Sequence, residues 1–508
     1  MPRPLPDHDS AATSDSPSTG LPFGRSGVAA LLLLCVLAAY APALRLGFRV
    51  DDFNWLLVAR LWLSDPQVWR AVLVGHNGCT PLFNLVFLSL YHLGGATNPV
   101  PYYCYLLLAH FLVSLAVYWL GATLLNRRAA LLGAVGFALF WGNHQAVTWI
   151  GAGHRPLCSF LVICSIVLFL RFRREGRRSF LAWAAVLGFL AMLSKEDAIV
   201  LLPLVFLADC LALQRWPWKG RNWAAYLPLA AACLLYALIQ PLTRGTGTSF
   251  SGLTEGFYWF GPHMFRNLLD IVPQLLVPDI ARGGFREALQ GALTVRLADL
   301  VGPCGHLMRL VFTLAALDLL IRGTDPVRYL VAGMYVAFLP FTAFTYEYAV
   351  AARYRYLSAA GFALLLGYGV CVLSTRLAQR SWPRALLWGL TGLVLLANLG
   401  LLWRLEAHLQ RDAEARQAVL TEVQRVLPEV PPRTVFRFEG LPGNVEDTVM
   451  AVSLLYDVPT WGVRPRDAGD ATCVVHFEGL HISGVQHLSR PQPPAPPFPA
   501  AARWWDSR

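Results

Sequence analysis

Apolar residues fall in blocks of about 15 to 25 along this chain, separated by short polar connections, and that spacing predicts membrane-spanning helices. The blocks are 28–44, 101–125, 129–149, 156–171, 180–194, 197–213, 223–241, 301–321, 329–346, 357–374 and 385–404. Their connections alternate in charge. One set carries Arg127 and Arg128; Arg171, Arg173, Arg174, Arg177 and Arg178; Arg215, Lys219 and Arg221; Arg322 and Arg328; Arg376, Arg380 and Arg384. The other set holds little beyond Arg155, Lys195, Arg353 and Arg355. Lys and Arg collect on the cytoplasmic side of membrane proteins, so the N-terminus is read as inside and residues 46–100, 243–300 and 405–508 as outside. Block 81–97 is short, and counting it as a span would invert every later loop. It is therefore read as an interfacial or re-entrant helix of the first outer loop.

The ends differ from this core. Residues 1–26, rich in Pro, Ser and Asp, read as a disordered cytoplasmic tail. A cleaved leader at 28–44 is the competing reading, but the long acidic lead favours a retained helix. The long outer loop contains FYWFGPHMF, an aromatic set suited to headgroup level. Residues 405–490 show a charged helical pattern followed by TVFRFEGLPG and ATCVVHFEGL, two strand-like runs, and predict a small α/β module. Residues 491–508 are Pro-rich. The fold class is thus an all-α polytopic membrane protein of about eleven spans, core 27–404, with a C-terminal α/β extracytoplasmic appendage.

Composition agrees. The 508 residues are 56% hydrophobic and only 14% charged, against roughly 25% charged in soluble domains. A net charge of +11 could suggest nucleic acid, but the basic residues lie in short inter-span loops, so that partner is excluded. The ten cysteines match no metal or redox spacing.

Ionisable groups on the outer face carry the candidate chemistry. Asp51 and Asp52 end the first span, where carboxylates are costly. Adjacent carboxylates repel, which raises one pKa and suits a general base; one of them capping the helix that starts at FNWLLVARLW is the plainer alternative. Lys195, with Glu196 and Asp197 beside it, fits either a functional charge cluster or a structural ion pair. Arg353-Tyr354-Arg355 suits a lipid phosphate or interfacial snorkelling. Arg155 follows Gly151-Ala152-Gly153-His154, whose glycines allow close backbone approach. His76, His110, His144 and His154 could join Asp51 around a divalent cation, although no H-x-x-H spacing is present.

Several stretches, in order, resemble the GT-C superfamily of polyprenyl-phosphate-sugar glycosyltransferases. The nearest likeness is to the branch of the protein O-mannosyltransferases and the transmembrane-and-tetratricopeptide proteins. They are AYAPALRLGFRVDD (39–52), PLFNLVF (81–87), LLLAHFLVSL (106–115), HQAVTWIGAGHR (144–155), LSKEDAIVLLPLVF (193–206) and ARYRYLSAAGFALLL (352–366). The chain departs from that pattern at Thr80, Ala352 and Arg355, where the family has Arg, Glu and Leu, and no tetratricopeptide period follows the last span.

The resemblance implies an inverting transfer of a sugar, a hexose such as mannose, from a polyprenyl-phosphate donor to an extracytoplasmic protein or glycan acceptor. It implies a first-loop Asp (Asp51 or Asp52) as base, and cations on the donor phosphate (Lys195, Arg353, Arg355, Arg155), with Glu196, His154 and Tyr354 supporting. The leaving phosphate is already a stable anion, so one base suffices, unlike the two carboxylates of glycoside hydrolysis. No cofactor is demanded, and a divalent cation stays open. High Arg, Ala, Leu and Pro with little Lys suggests a GC-rich bacterial genome, and hence a bacterial inner membrane with a periplasmic C-terminus. The alternatives are a flippase for lipid-linked sugars and a catalytically inactive relative. The acids gather at one face, whereas transporter sites lie at the midplane between internal repeats, and no such repeat is visible.

Overall fold

The structure, a computed structural model, describes residues 24–49, 52–64, 80–216, 218, 222–243, 260–276, 295–344, 351–430, 436–440, 451–452, 454–456 and 473–487. Within them the helices are α1 (Arg25–Tyr40), α2 (Asp52–Ser64), α3 (Pro81–Gly94), α4 (Val100–Leu124), α5 (Arg127–Ala138), α6 (His144–Thr148), α7 (His154–Glu175), α8 (Arg178–Ser194), α9 (Leu201–Leu207), α10 (Leu227–Thr243), α11 (His263–Leu276), α12 (Val295–Arg322), α13 (Asp325–Thr342), α14 (Tyr356–Arg376) and α15 (Ser381–Val426). Among the described residues six helical segments are long and apolar enough to cross a membrane: Arg25–Arg45, Val100–Leu124, Ile150–Glu175, Asn222–Ile239, Ala352–Arg376 and Ser381–Val426. Large apolar side chains such as Leu310, Leu314, Trp388, Leu393 and Leu396 face outward, which suits lipid and not water. The chain is a multi-pass membrane protein.

In lipid there is no hydrophobic drive between helices, so close packing must hold the bundle. α5 and α14 meet through glycines. A Cβ at Gly367 would lie 2.5 Å from the Gly133 nitrogen and 2.6 Å from the Ala129 carbonyl, and one at Gly133 would lie 2.9 Å from Leu364 Cα. Only glycine permits that approach.

The predicted span 129–149 differs most from expectation. Its helix, α5, stops at Ala138 after 12 residues, about 18 Å at 1.5 Å per residue and short of a 30 Å core. Residues 139–153 then run as irregular turns with the short α6, and most of their side chains are buried. Non-helical backbone at membrane depth is tolerated where protein surrounds it. Predicted span 197–213 is likewise one helical run of mixed winding, a 3-10 turn at Glu196–Val200, then α9, then a π turn at Ala208–Ala212. α3, at 14 residues, is also too short to cross unaided.

The π turn sets Asp209 against Arg173 near the end of α7. Arg173 Nε donates to Asp209 Oδ1 at 2.8 Å, its Nη2 bonds Oδ2, and Tyr226 OH donates to Oδ2 at 2.6 Å. Asp209 is fully buried. Removing one partner of such a pair strands the other charge. Asp209→Ala is therefore expected to cost about 3–5 kcal/mol of unfolding free energy, and Asp209→Leu with Arg173→Met to recover most of it. Thermal unfolding in detergent reads both.

α15 has its apolar part at 385–404 and continues as one helix to Val426. Its last turns carry a three-stranded sheet: β1 (Phe436–Glu439) pairs parallel with β2 (Cys473–Glu478), which pairs antiparallel with β3 (His481–His487). Val419, Val423 and Leu427 form a core with Phe436, Val475 and Phe477, and the Ile482 N–H donates to Glu422 Oε1 at 3.3 Å.

Just past the apolar part, Glu406 is 2% exposed and neither carboxyl oxygen has a partner among the described residues. Burial pushes its pKa up to about 8 from 4.5. The folded chain thus keeps a proton that the unfolded chain releases, and stability falls as pH rises from about 4.5 to 8. Glu406→Gln is expected to remove that slope. The variant should melt several degrees above wild type at pH 8.5 and level with it at pH 4.5, by thermal scans in detergent.

Candidate functional site

The site is built at the end of the bundle where α7 and α14 begin and where α8 and α13 finish. Four irregular segments meet there: the turn after α1, the stretch 139–153, the turn at 195–200 and the turn at 351–355. The helical crossings bring together residues that lie hundreds of positions apart.

The first of these segments leads into α2. Asp52 is fully buried. Its Oδ1 accepts the Gly151 N–H at 2.7 Å and its Oδ2 the Arg49 N–H at 3.0 Å. Neither bond is to the first turn of α2, so the carboxylate clamps two loops together. Trp55 of the same helix lies against Phe83 and Phe87 of α3, with ring centroids 5.3 Å apart in each pair. Asp51 and His76 lie outside the described residues.

Cations converge beside this clamp. Arg155, Lys195 and Arg353 all lie within electrostatic range of His154. Arg155 Nη1 bonds Asp197 Oδ2 at 2.6 Å, and its guanidinium sits 4.5 Å from the Tyr354 ring centre and 4.9 Å from that of Phe341. Lys195 Nζ bonds Glu196 Oε1 at 2.5 Å. Burial alone would lower the Lys195 pKa, but the Glu196 and Asp197 carboxylates more than offset it and hold the amine above its usual range. Burial would raise Glu196, and the Lys195 ammonium outweighs that and holds it below the carboxylate range. Both groups stay charged at neutral pH.

Arg353 lies over Trp149 at 4.4 Å and over Tyr354 at 4.7 Å, and donates to Tyr354 OH at 3.2 Å. Tyr354 stacks against both Phe341 and Phe344, each 4.9 Å away. Aromatic faces fix guanidinium groups while leaving their N–H edges free to bond. Three buried donors here have no partner among the described residues, Arg49 Nε, Arg155 Nε and Trp149 Nε1. Orphaned buried donors are costly, and an anion would satisfy them.

An apolar groove of about 410 Å³ is lined by Ile199, Leu202, Pro203, Val336, Leu339 and Pro340. Ile199 and Leu339 are 56% and 46% exposed, so the groove opens on the lipid-facing surface. It begins two residues past Asp197 and ends one before Phe341.

Not every candidate joins the cluster. Arg355 is buried, and its Nη1 donates to the Gln274 carbonyl at 2.8 Å and to Gln274 Oε1 at 3.2 Å, which ties the 351–355 turn to α11. His110 is occupied on both nitrogens, by Tyr356 OH at 2.6 Å and the Ala138 carbonyl at 3.2 Å. His144 Nδ1 bonds the Trp141 carbonyl. His154, by contrast, lies within the cluster and meets Phe83 edge-on at 5.4 Å. Among the described residues no three His, Cys, Asp or Glu gather as metal ligands. Two site residues carried no distinct signal in the sequence: Trp149 lies inside WIGAGHR as one more aromatic, and Phe341 inside an apolar block.

No protein-family profile matches the sequence, and no curated protein matches it. Solved structures do. ArnT from Cupriavidus metallidurans in the apo state aligns with a TM-score of 0.52 and 13% identity, over 89% of this chain and 93% of that one. The same protein bound to undecaprenyl phosphate aligns with a TM-score of 0.51 and 12% identity, over 86% of each chain. The Archaeoglobus fulgidus oligosaccharyltransferase tethered to an acceptor peptide gives 0.47 and 13%; this chain covers 64% of its length. The two ArnT structures have the GT-C fold, and the chain shares that fold.

Proposed function

We propose that this protein is an integral-membrane glycosyltransferase that moves one sugar from a polyprenyl-phosphate donor to an acceptor on the extracytoplasmic side. The observation that carries the reading is the set of buried donors with no partner among the described residues, Arg49 Nε, Arg155 Nε and Trp149 Nε1, gathered with Lys195 and Arg353, and the apolar groove lined by residues that follow Asp197 and precede Phe341 in the chain. Cations and spare donors suit a phosphate, and the groove suits a prenyl chain running into lipid. The related fold of ArnT, solved with undecaprenyl phosphate, supports the same donor class. The alternation of Lys and Arg between connections supports an outward-facing site.

Chemically, the acceptor hydroxyl gives its proton to a first-loop carboxylate as its oxygen bonds the sugar C1. The bond from C1 to the phosphate oxygen breaks on the opposite face, so the configuration inverts. The phosphate leaves with the electron pair, and Lys195, Arg155 and Arg353 hold the growing charge. Asp52 is committed to two backbone N–H groups, which favours Asp51 as the base. Arg355 serves as a structural tie, and Glu196 sets the position of Lys195. The finer likeness to the O-mannosyltransferase branch and the hexose donor rest on the sequence stretches, and the bacterial inner membrane on composition.

The test is transfer of radiolabelled sugar from a panel of polyprenyl-phosphate sugars into a membrane extract, using purified protein with and without EDTA. Product from one donor is expected. EDTA sensitivity would add a divalent cation to the scheme. No transfer from any donor would overturn the reading, and lipid-sugar flipping would be measured next.

A further inference from the structure

The outer part of α15 reaches back across the chain to the first loop. Arg416 Nη1 donates to the Phe48 carbonyl at 2.6 Å. The same guanidinium lies 5.8 Å from the centre of the Phe53 ring. One side chain therefore touches both flanks of the Asp51-Asp52 pair. Three residues earlier on α15, Ala413 Cβ lies 3.6 Å from where a Cβ would stand on Gly47, so the helix backbone runs close to the loop. From the other side Tyr103 OH donates to the Gly47 carbonyl at 3.0 Å. A second tie joins the same regions: Arg60 Nη2 of α2 donates to the Leu454 carbonyl at 3.0 Å.

These contacts are unlike ordinary bundle packing. The loop carbonyl of Phe48 has no place in a helix or sheet ladder, and a guanidinium has the geometry to bond it and stack on an aromatic ring at once. The Asp52 clamp fixes the loop from the bundle side, through Gly151 and Arg49. On the side facing α15 the loop is held by Arg416. We infer that Arg416 is a positioning residue, which sets the first-loop carboxylate against the donor by pinning Phe48 and Phe53, and that the α15 extension is built to carry it. The inference rests on the proposed transferase reading for its effect on turnover, but not for its effect on the loop.

Misplacing a reacting group by about 1 Å can cost a hundredfold in rate. Arg416→Gln is expected to lower kcat by about 10- to 100-fold with the donor KM within about twofold of wild type. Arg416→Lys keeps a donor for Phe48 but loses the planar stack, and should recover only part of the rate. Ala413→Leu, which leaves Arg416 in place and presses on Gly47, should lower kcat in the same way and covers the case in which Arg416→Gln fails to fold. Amide hydrogen exchange over residues 46–53 reads the loop directly. Exchange there should rise in Arg416→Gln while α4 and α7 keep their protection. Unchanged exchange in 46–53 together with unchanged kcat would overturn the inference. Equal loss of kcat in Arg416→Lys and Arg416→Gln with unchanged loop exchange would overturn it too. Were wild-type protein to transfer no sugar, the transferase reading would fall, and the exchange measurement would still decide whether Arg416 holds the loop.

Discussion

Asp51→Asn is expected to lower sugar transfer by about 10²–10⁴-fold, the usual contribution of a general base, while the donor binds as before. The neighbouring Asp52→Asn is expected to act differently. Its carboxylate accepts two backbone N–H bonds, from Gly151 at 2.7 Å and Arg49 at 3.0 Å. An amide can accept only one of them and turns a donor toward the other. That leaves a buried N–H unsatisfied, worth about 1–3 kcal/mol. Asp52→Asn should therefore melt lower than wild type, and its transfer should fall with the folded fraction and the loosened loop. The two variants separate the roles when melting temperature, donor binding and turnover are measured together. Full turnover in Asp51→Asn would move the base elsewhere, with Glu196 the next carboxylate to test.

That distinction was out of reach of the sequence. Two adjacent aspartates after an apolar block look alike, and the partner that commits Asp52, the Gly151 N–H, lies 99 residues away. The helical bundle itself was legible because its long helices are apolar blocks with charged ends, a signal that needs no tertiary knowledge. Predicted span 129–149 failed for a tertiary reason. Its residues are apolar throughout, yet beyond Ala138 they line the site, where surrounding protein and not lipid accepts irregular backbone. The same limit hid Trp149 and Phe341. Their value lies in what stacks on them, Arg353 at 4.4 Å and Arg155 at 4.9 Å, and neither arginine is near its ring in sequence. Arg355 shows the converse. Beside Arg353 it looks equivalent, but the turn sends it to Gln274, so its charge is spent on α11.

This division of labour predicts the second large effect. Lys195→Met and Arg353→Met are each expected to weaken donor binding by about 10- to 100-fold, since a hydrogen bond to a charged group is worth about 1.5–3 kcal/mol. The phosphate gains charge as the glycosidic bond breaks, so kcat should fall along with affinity and not in place of it. The two losses should add incompletely in the double variant, because both cations face one anion. Lys195→Met also strands Glu196, whose ionised state depends on that ammonium. Lys195→Met with Glu196→Gln separates the loss of a phosphate contact from the cost of a lone carboxylate: the double change should regain stability but not donor affinity. Arg355→Met should do the reverse, lowering the melting temperature and sparing the donor Kd. If Arg355→Met lost the donor while Arg353→Met kept it, the phosphate would have to lie against α11 and away from the Trp149 face. The groove beside Ile199 and Pro340 would then have no role in holding the prenyl chain.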